Sequence, residues 1–262
     1  MTFTLGPHAI SAGYRLASFE QIGSTNSEAI DRARKGERGP LWLVTSEQTA
    51  GRGRRQRPWI APRGNLACSV LEVLEVAPAT AATLGFAAGL ALQTALRTVA
   101  GSAPIQFSLK WPNDVMAGAA KLSGILLEAE AIPGGGLAVV VGMGTNIVAA
   151  PEGTPVPATA LHALGLETSA ELLFAALSDS WAECRRTWDQ GKGFGEIRHR
   201  WLASAAGLGQ LVSIHTGNAT VSGIFDTIDD TGCMIVRTST GVKIPISAGD
   251  VHFGAAASVK AG

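Results

Sequence analysis

The chain has 262 residues, no formal net charge, 46% hydrophobic residues and only 16% charged ones. That is enough for one substantial core and a small second domain, too apolar for a disordered segment, and too neutral for a general nucleic-acid binder, whose domain is usually basic. Three scattered cysteines (Cys68, Cys184, Cys233) and five dispersed histidines exclude a disulfide framework and a Cys/His metal centre, and point to reduced thiols in a cytoplasmic setting.

Met1 to Ser11 lacks the basic start and apolar core of a signal peptide. Residues 1–18 carry no clear period. Ser24-Thr25-Asn26 opens a helix, with Thr25 and Glu28 at capping-box spacing, and Lys35-Gly36 and Gly39-Pro40 close it. Leu41–Thr45 reads as a buried strand, and Leu66–Val76 alternates like another. Pro78 starts a helix over 79–100, with Leu84, Ala88, Ala91, Leu92, Ala95 and Val99 as its apolar stripe. Strands follow at 105–110, at Val115-Met116 and 122–128 around a turn at Gly118, and at 137–142 after Gly134-Gly135-Gly136. Apolar runs such as Leu137–Val141 are too short to span a bilayer. A Pro-rich loop covers 151–157, and helices span about 169–190 and 196–205. Gly207-Leu208-Gly209 marks a boundary between a first unit, residues 1–207, and a second, 208–262. Short strands at 211–215, 220–228, 233–238 and 242–246 predict a small antiparallel barrel there. The first unit mixes strands and helices without a βαβ rhythm, which predicts an α+β fold: a mixed sheet flanked by helices.

Four segments carry candidate chemistry. In Gly51-Arg52-Gly53-Arg54-Arg55-Gln56-Arg57-Pro58-Trp59, four of the chain's 21 basic residues sit beside two glycines and an indole. Glycine permits close backbone approach, and guanidinium suits phosphate. The loop lacks the spacing of a dinucleotide fingerprint or a P-loop. Read alone, it equally describes a solvated basic loop or a nucleic-acid patch. Lys110-Trp111-Pro112-Asn113-Asp114 puts a cation at a strand end, and is equally an ordinary turn. Lys121-Leu122-Ser123-Gly124-Ile125-Leu126-Leu127-Glu128 opens an apolar strand with a lysine and places Gly124 where a side chain is expected, a mark of close approach or of a bulge. Gly142-Met143-Gly144-Thr145-Asn146-Ile147 exposes backbone amides beside an amide side chain, or is a tight turn.

Together and in this order, these segments resemble the biotin–protein ligases. GRGRRQRPW, KWPNDV, KLSGILLE and GMGTNI match that family's signatures, as do Ser24-Thr25-Asn26 and Gln48, over roughly residues 14–250. The resemblance implies the biotin/lipoate ligase catalytic fold with a small C-terminal SH3-like β-barrel. It implies condensation of biotin with ATP to biotinyl-5′-AMP and pyrophosphate, then transfer of biotin to a lysine of a carboxylase carrier domain. It also implies that Ser24, Thr25, Asn26 and Gln48 hold the biotin head group, and that Gly51, Arg52, Gly53, Arg54 and Gly124 line the ligand. By the same resemblance, Lys121 and Arg54 are expected to carry the catalytic electrostatics, Arg55, Arg57, Trp59, Lys110, Asn113 and Asn146 to serve ATP and the adenylate, and Asp114 to hold Mg²⁺. Lipoate ligases and octanoyltransferases share the fold but lack this arginine loop.

Gln56 stands where the family usually has glycine, which is costly if the position needs positive φ. With ligand-site motifs beginning by Ser24, no room is expected for the DNA-binding domain of some relatives, and neither DNA nor a membrane is an expected partner. A homodimer through a sheet edge is compatible with the chain, though no heptad or exposed stripe announces one.

Overall fold

The computed structural model describes residues 2–154, 156–217 and 219–253. Pro155 of the Pro-rich loop and Asn218 of the 216–218 turn lie outside the described residues, as does the end of the second unit. The amino-terminal segment, without period in the sequence, forms helix α1 (Pro7–Ser11) and strand β1 (Arg15–Phe19). β1 is an edge strand that is nowhere fully buried, so Arg-Leu-Ala-Ser-Phe shows no apolar alternation. It pairs in parallel with β2 (Leu41–Thr45).

Helix α2 (Thr25–Arg34) joins the two strands. Its cap is Ser24, whose Oγ accepts from the Ser27 N–H at 3.4 Å. The Thr25–Glu28 spacing is therefore not the cap. Thr25 is the first helical residue, and Glu28 pairs with Arg32 one turn on, at 2.7 Å.

β3 (Leu66–Leu74), β4 (Phe107–Lys110), β5 (Asp114–Ala117), β6 (Ala120–Ala131) and β7 (Leu137–Thr145) complete a seven-stranded mixed sheet in the order β1-β2-β3-β7-β6-β5-β4. Pro78–Ala100 is two helices, α3 (Pro78–Ala82) and α4 (Leu84–Ala100). They part at Thr83, whose hydroxyl donates to Thr80 O at 2.6 Å and accepts from Trp188 Nε1 at 2.7 Å. The apolar stripe is buried as expected, with Val99 at its margin. Contrary to the expectation of short apolar runs, Pro78–Ala100 is long and apolar enough to cross a bilayer. It is 72% buried over its apolar window, as the core helix of this fold.

Helix α5 (Ala170–Trp188) packs along α4, and α6 (Phe194–Leu202) closes that layer. This layer covers one face of the sheet. On the other, α2 covers only part: Ala29 and Ala33 pack on Leu41, Leu43, Leu71, Ala138 and Val140. The remainder of that face is left for the site.

The C-terminal unit is a five-stranded antiparallel sheet of β8 (Leu211–His215), β9 (Thr220–Ile228), β10 (Met234–Arg237), β11 (Lys243–Ile246) and β12 (Asp250–Phe253), in the order β11-β10-β9-β8-β12. β12 has no counterpart among the expected strands. Asp-Val-His-Phe is too short to show a period, and its pairing with β8 is a long-range event. Trp111 Nε1 donates to Gly232 O at 3.2 Å and ties the C-terminal sheet to the end of β4.

Candidate active site

The uncovered part of the sheet carries a row of small residues in register. Ala67 of β3 faces Gly144 of β7, which faces Gly124 of β6, which faces Asp114 of β5. This row is the floor of a cavity of roughly 510 Å³, within the usual range for small-molecule sites. Trp59 lies across the floor: a Cβ on Gly144 would stand 2.5 Å from its indole, and one on Gly124 3.2 Å. Both glycines make room for the Trp59 side chain, and the β5–β6 register also shifts beside Gly124, so both readings of that segment have a counterpart here.

At one end, Gln48 Oε1 accepts from the Thr25 N–H at 2.8 Å and from the Thr25 hydroxyl at 3.1 Å. Ser69 Oγ lies 2.7 Å from Thr25 Oγ1 and donates to Asn26 Oδ1 at 2.6 Å. Asn26 Nδ2 donates to Leu126 O at 3.2 Å and to Glu128 Oε2 at 2.8 Å. The Asn26 amide is thus saturated inside the protein, above Gly142, where a Cβ would strike it. Asn26 is a strut of this corner. The Ser24 hydroxyl proton and Gln48 Nε2 have no acceptor among the described residues, and they are the polar groups left to a ligand.

The arginine loop is a small antiparallel turn. The Trp59 N–H donates to Gly51 O at 2.9 Å and the Gly53 N–H to Arg57 O at 2.8 Å. Gly51 has no room for a side chain, since a Cβ would stand 2.5 Å from Trp59 O. At the tip, Arg55 (φ 55°) and Gln56 (φ 58°) both occupy left-handed backbone, so Gln56 does sit where glycine is the natural residue. It offsets part of the cost by accepting from Arg52 Nη1 at 3.3 Å.

The four arginines have different partners. Arg52 pairs with Glu128 at 3.3 Å. Arg55 and Arg57 both reach Asp250 Oδ2 of β12, each at 2.9 Å. Arg54 meets no carboxylate at salt-bridge distance among the described residues; its Nη1 donates to Asn113 Oδ1 at 3.1 Å, and burial holds its pKa below the ordinary guanidinium value. Burial tends to raise the Asp250 carboxyl, but the Arg57 hydrogen bond and the charges of Arg57, Arg55 and Arg54 outweigh it and hold it below the usual carboxylate range.

Opposite the loop, Lys110 is 7% exposed and its ammonium lies 5.3 Å from the Phe253 ring centre. Burial pulls its pKa below the usual lysine value. Lys121 adds to the shift, while Asp114 and Asp250 oppose it. Lys121 Nζ pairs with Asp114 Oδ1 at 2.6 Å and lies 5.6 Å from the Trp59 ring centre. Asn113, in the turn before β5, is held by β6, its Nδ2 donating to Ile125 O at 2.7 Å. Asn146 Nδ2 donates to Thr159 O at 3.0 Å, which turns Oδ1 into a buried acceptor without a partner.

Asp114 and Asp250 are the two carboxylates lining the cavity, and no group of three metal-ligating side chains occurs among the described residues. This donor set fits Mg²⁺ only as a companion of phosphates, the usual way the ion is held.

Of the site residues expected from the sequence, Gly51 and Arg55 do not line this cavity: Gly51 O accepts from the Trp59 N–H and Arg55 pairs with Asp250, while the others line it. Three working residues escape the sequence reading: Ser69, Glu128 and Asp250. Ser69 is a polar side chain inside a strand buried along most of its length, and a buried polar residue is the informative kind. Glu128 ends a recognised segment without a distinct chemical mark. Asp250 has no local signal.

Fold and cavity together describe a mixed sheet whose uncovered face carries a cavity lined by Arg54, Lys110 and Lys121. Residues 18–146 match the biotin/lipoate A/B protein ligase family, and residues 207–254 match the biotin protein ligase C-terminal domain. The chain is 39% identical to a biotin–[acetyl-CoA-carboxylase] ligase of Paracoccus denitrificans, over 88% of this chain and 97% of that one. It is 34% identical to the Mycobacterium tuberculosis protein of the same name, over 88% and 86%. A biotin protein ligase from Aquifex aeolicus, solved in complex with biotin and ATP, superposes with a TM-score of 0.75 at 25% identity, over 92% of this chain and 99% of that one. The chain belongs to the biotin/lipoate A/B protein ligase family, among its biotin–protein ligases.

Proposed function

We propose that this protein is an ATP-dependent biotin–protein ligase that forms biotinyl-5′-AMP and passes biotin to a lysine of a carboxylase's biotin carrier domain. One observation carries the reading: the β7 run Gly142-Met143-Gly144-Thr145-Asn146 lays the site out in order. Gly142 lies under the Asn26 corner, Gly144 under Trp59 beside Lys121, and Asn146 offers its orphaned acceptor beyond. At about 3.3 Å per residue the run spans about 13 Å. That suits a ligand with a polar head at one end, a reacting centre in the middle and a base at the other end. Ser24 and Gln48 Nε2 donate to the carbonyl of the ureido head, with Thr25 and Asn26 holding them in place. Asn146 Oδ1 accepts from the adenine amino group, and Trp59 covers the floor between.

The first step brings a carboxylate oxygen of biotin to the α-phosphorus as pyrophosphate leaves. Like charges repel on that approach. Lys121 stands next to the floor, and Lys110 and Arg54 bring charge that no carboxylate neutralises at salt-bridge distance among the described residues. Such preset cations stabilise the transition state without reorganising. Asp114 offers Mg²⁺ a ligand oxygen, and the ion would offset the charge of the triphosphate. In the second step the amine of the carrier lysine attacks the carbonyl of the mixed anhydride and AMP leaves. The loop from Gly51 to Trp59 shields that anhydride from water. We place the limit of the catalytic unit at Gly207, between α6 and β8.

The test is biotin-dependent exchange of labelled pyrophosphate into ATP. Exchange is expected from the purified protein, and its absence overturns the reading. Lys121→Ala should lower exchange by about a hundredfold or more, the loss typical of one preset transition-state donor, while biotin affinity changes only a few-fold. Equal losses in both would show that Lys121 serves binding and not the transition state.

A further inference from the structure

The Lys121–Glu128 segment gives its first residue to the chemistry, and its last residue does different work. Glu128 lies on β6 with its side chain 30% exposed. Its Oε2 accepts from Asn26 Nδ2 at 2.8 Å, and Arg52 Nη2 stands 3.3 Å from each of its two oxygens. The same Arg52 nitrogen donates to Ser27 Oγ at 3.2 Å, while Nη1 of Arg52 donates to Gln56 at 3.3 Å. One carboxylate therefore ties together the first turn of α2, the stem of the arginine loop and the sheet.

We infer that Glu128 is the positioning residue of the biotin end of the site, setting the head-group corner and the root of the loop at once. The inference rests on the ligase reading above. Asn26 is locked by three partners, and Glu128 is the charged one. Without it the amide is free to turn, and the Ser69–Thr25–Gln48 chain that aims Gln48 Nε2 loses its fixed end. Arg52 loses its carboxylate in the same event and, among the described residues, keeps only Ser27 of α2 as a partner outside the loop. Two donors converge on Oε2 of Glu128, so glutamine there can keep an acceptor oxygen for them but loses the charge that strengthens both bonds. Arg54, Lys110 and Asn146 touch none of these groups, so the nucleotide end is insulated.

The experiment compares Glu128→Ala and the isosteric Glu128→Gln in the full-length protein. It reads the biotin Kd without nucleotide, the ATP KM at saturating biotin and the lifetime of bound biotinyl-AMP. The alanine variant should weaken biotin binding by roughly tenfold or more, the effect of losing one charge-assisted hydrogen bond, and the glutamine variant by less. The ATP KM should stay within about twofold, and the adenylate should be released faster. Adding Arg52→Ala to Glu128→Ala should cost less than the two single losses combined, because both act on one network. An unchanged biotin Kd in both variants, a fall in melting temperature alone, or an ATP KM that rises as much as the biotin Kd would each overturn the inference. Wild-type protein that binds no biotin would instead overturn the ligase reading.

Discussion

Lys110 shows what a working residue costs its own fold. It is 7% exposed, with no carboxylate at salt-bridge distance among the described residues. Its pKa lies below that of an ordinary lysine, chiefly through burial. Between the lowered value and the ordinary one near ~10.4, the unfolded chain binds more protons than the folded one. Stability therefore rises with pH through that window, and at neutral pH the buried charge is destabilising. Lys110→Met is expected to raise the melting temperature, by the equivalent of about 1 kcal/mol, while weakening ATP binding. Bound phosphates favour the ammonium form, so ATP affinity in the wild type should fall as pH climbs through the same window, with proton uptake on binding seen by calorimetry. A stabilised Lys110→Met that binds ATP normally would contradict the assignment. Asn146 makes the complementary case for specificity. Its amide is oriented by Thr159, leaving an acceptor that rewards an amino group and rejects a 6-oxo base. ITP should support exchange at least tenfold less well than ATP (about 1.4 kcal/mol), and Asn146→Ala should narrow that ratio.

At the scale of elements, the arginine loop gathers most of the site's charge. Arg54→Gly removes the loop arginine that has no carboxylate partner among the described residues and leaves the turn bonds from Gly51 to Trp59 in place. The expected result is a protein that still makes biotinyl-AMP but releases it, labelling lysines of bystander proteins. Retention equal to wild type would show that Arg54 does not guard the anhydride. The loop also shows how much of the structure is legible in the sequence. Its composition reads out a basic, glycine-rich turn but not what the turn faces, which only the neighbouring motifs narrow. Strands β2, β3, β6 and β7 and helices α2, α4, α5 and α6 are legible because each has a buried stripe or run long enough to show a period. β1 and β12 are not: one is a half-exposed edge, the other is four residues long. For the same reason Asp250, the partner of two loop arginines, is invisible in the sequence, where it lies 195 positions from Arg55. Ser24 as the true cap is a one-residue shift that polar Ser-Thr-Asn runs allow, and only the backbone of Ser24 decides it.

At the scale of the whole molecule, Asp250 joins the two units over the cavity. The pairs are half-exposed, with side-chain exposures of 43% for Arg55, 64% for Arg57 and 31% for Asp250. Such pairs contribute on the order of 0.2–1 kcal/mol each, so Asp250→Ala should scarcely move the melting temperature. It should, however, free the loop: trypsin cleavage at Arg55 and Arg57 is expected to quicken several-fold, and high salt should imitate the substitution in the wild type. Unchanged cleavage would mean the loop holds itself. With the Asp250 carboxyl held below its ordinary value, the contribution is complete above about pH 4 and is lost as pH falls through the lowered value. The latch is therefore indifferent to pH across the physiological range. Its geometry also orders events in time. With 195 positions between Arg55 and Asp250, and synthesis at about 5–20 residues per second, a nascent chain carries its arginine loop for roughly 10–40 s before the carboxylate that fastens it has been made. During that interval the catalytic sheet has its floor, its lysines and a loop tied by Glu128 and Asn113 but not yet by Asp250. On the ligase reading, an adenylate would be fully retained only once β12 joins β8.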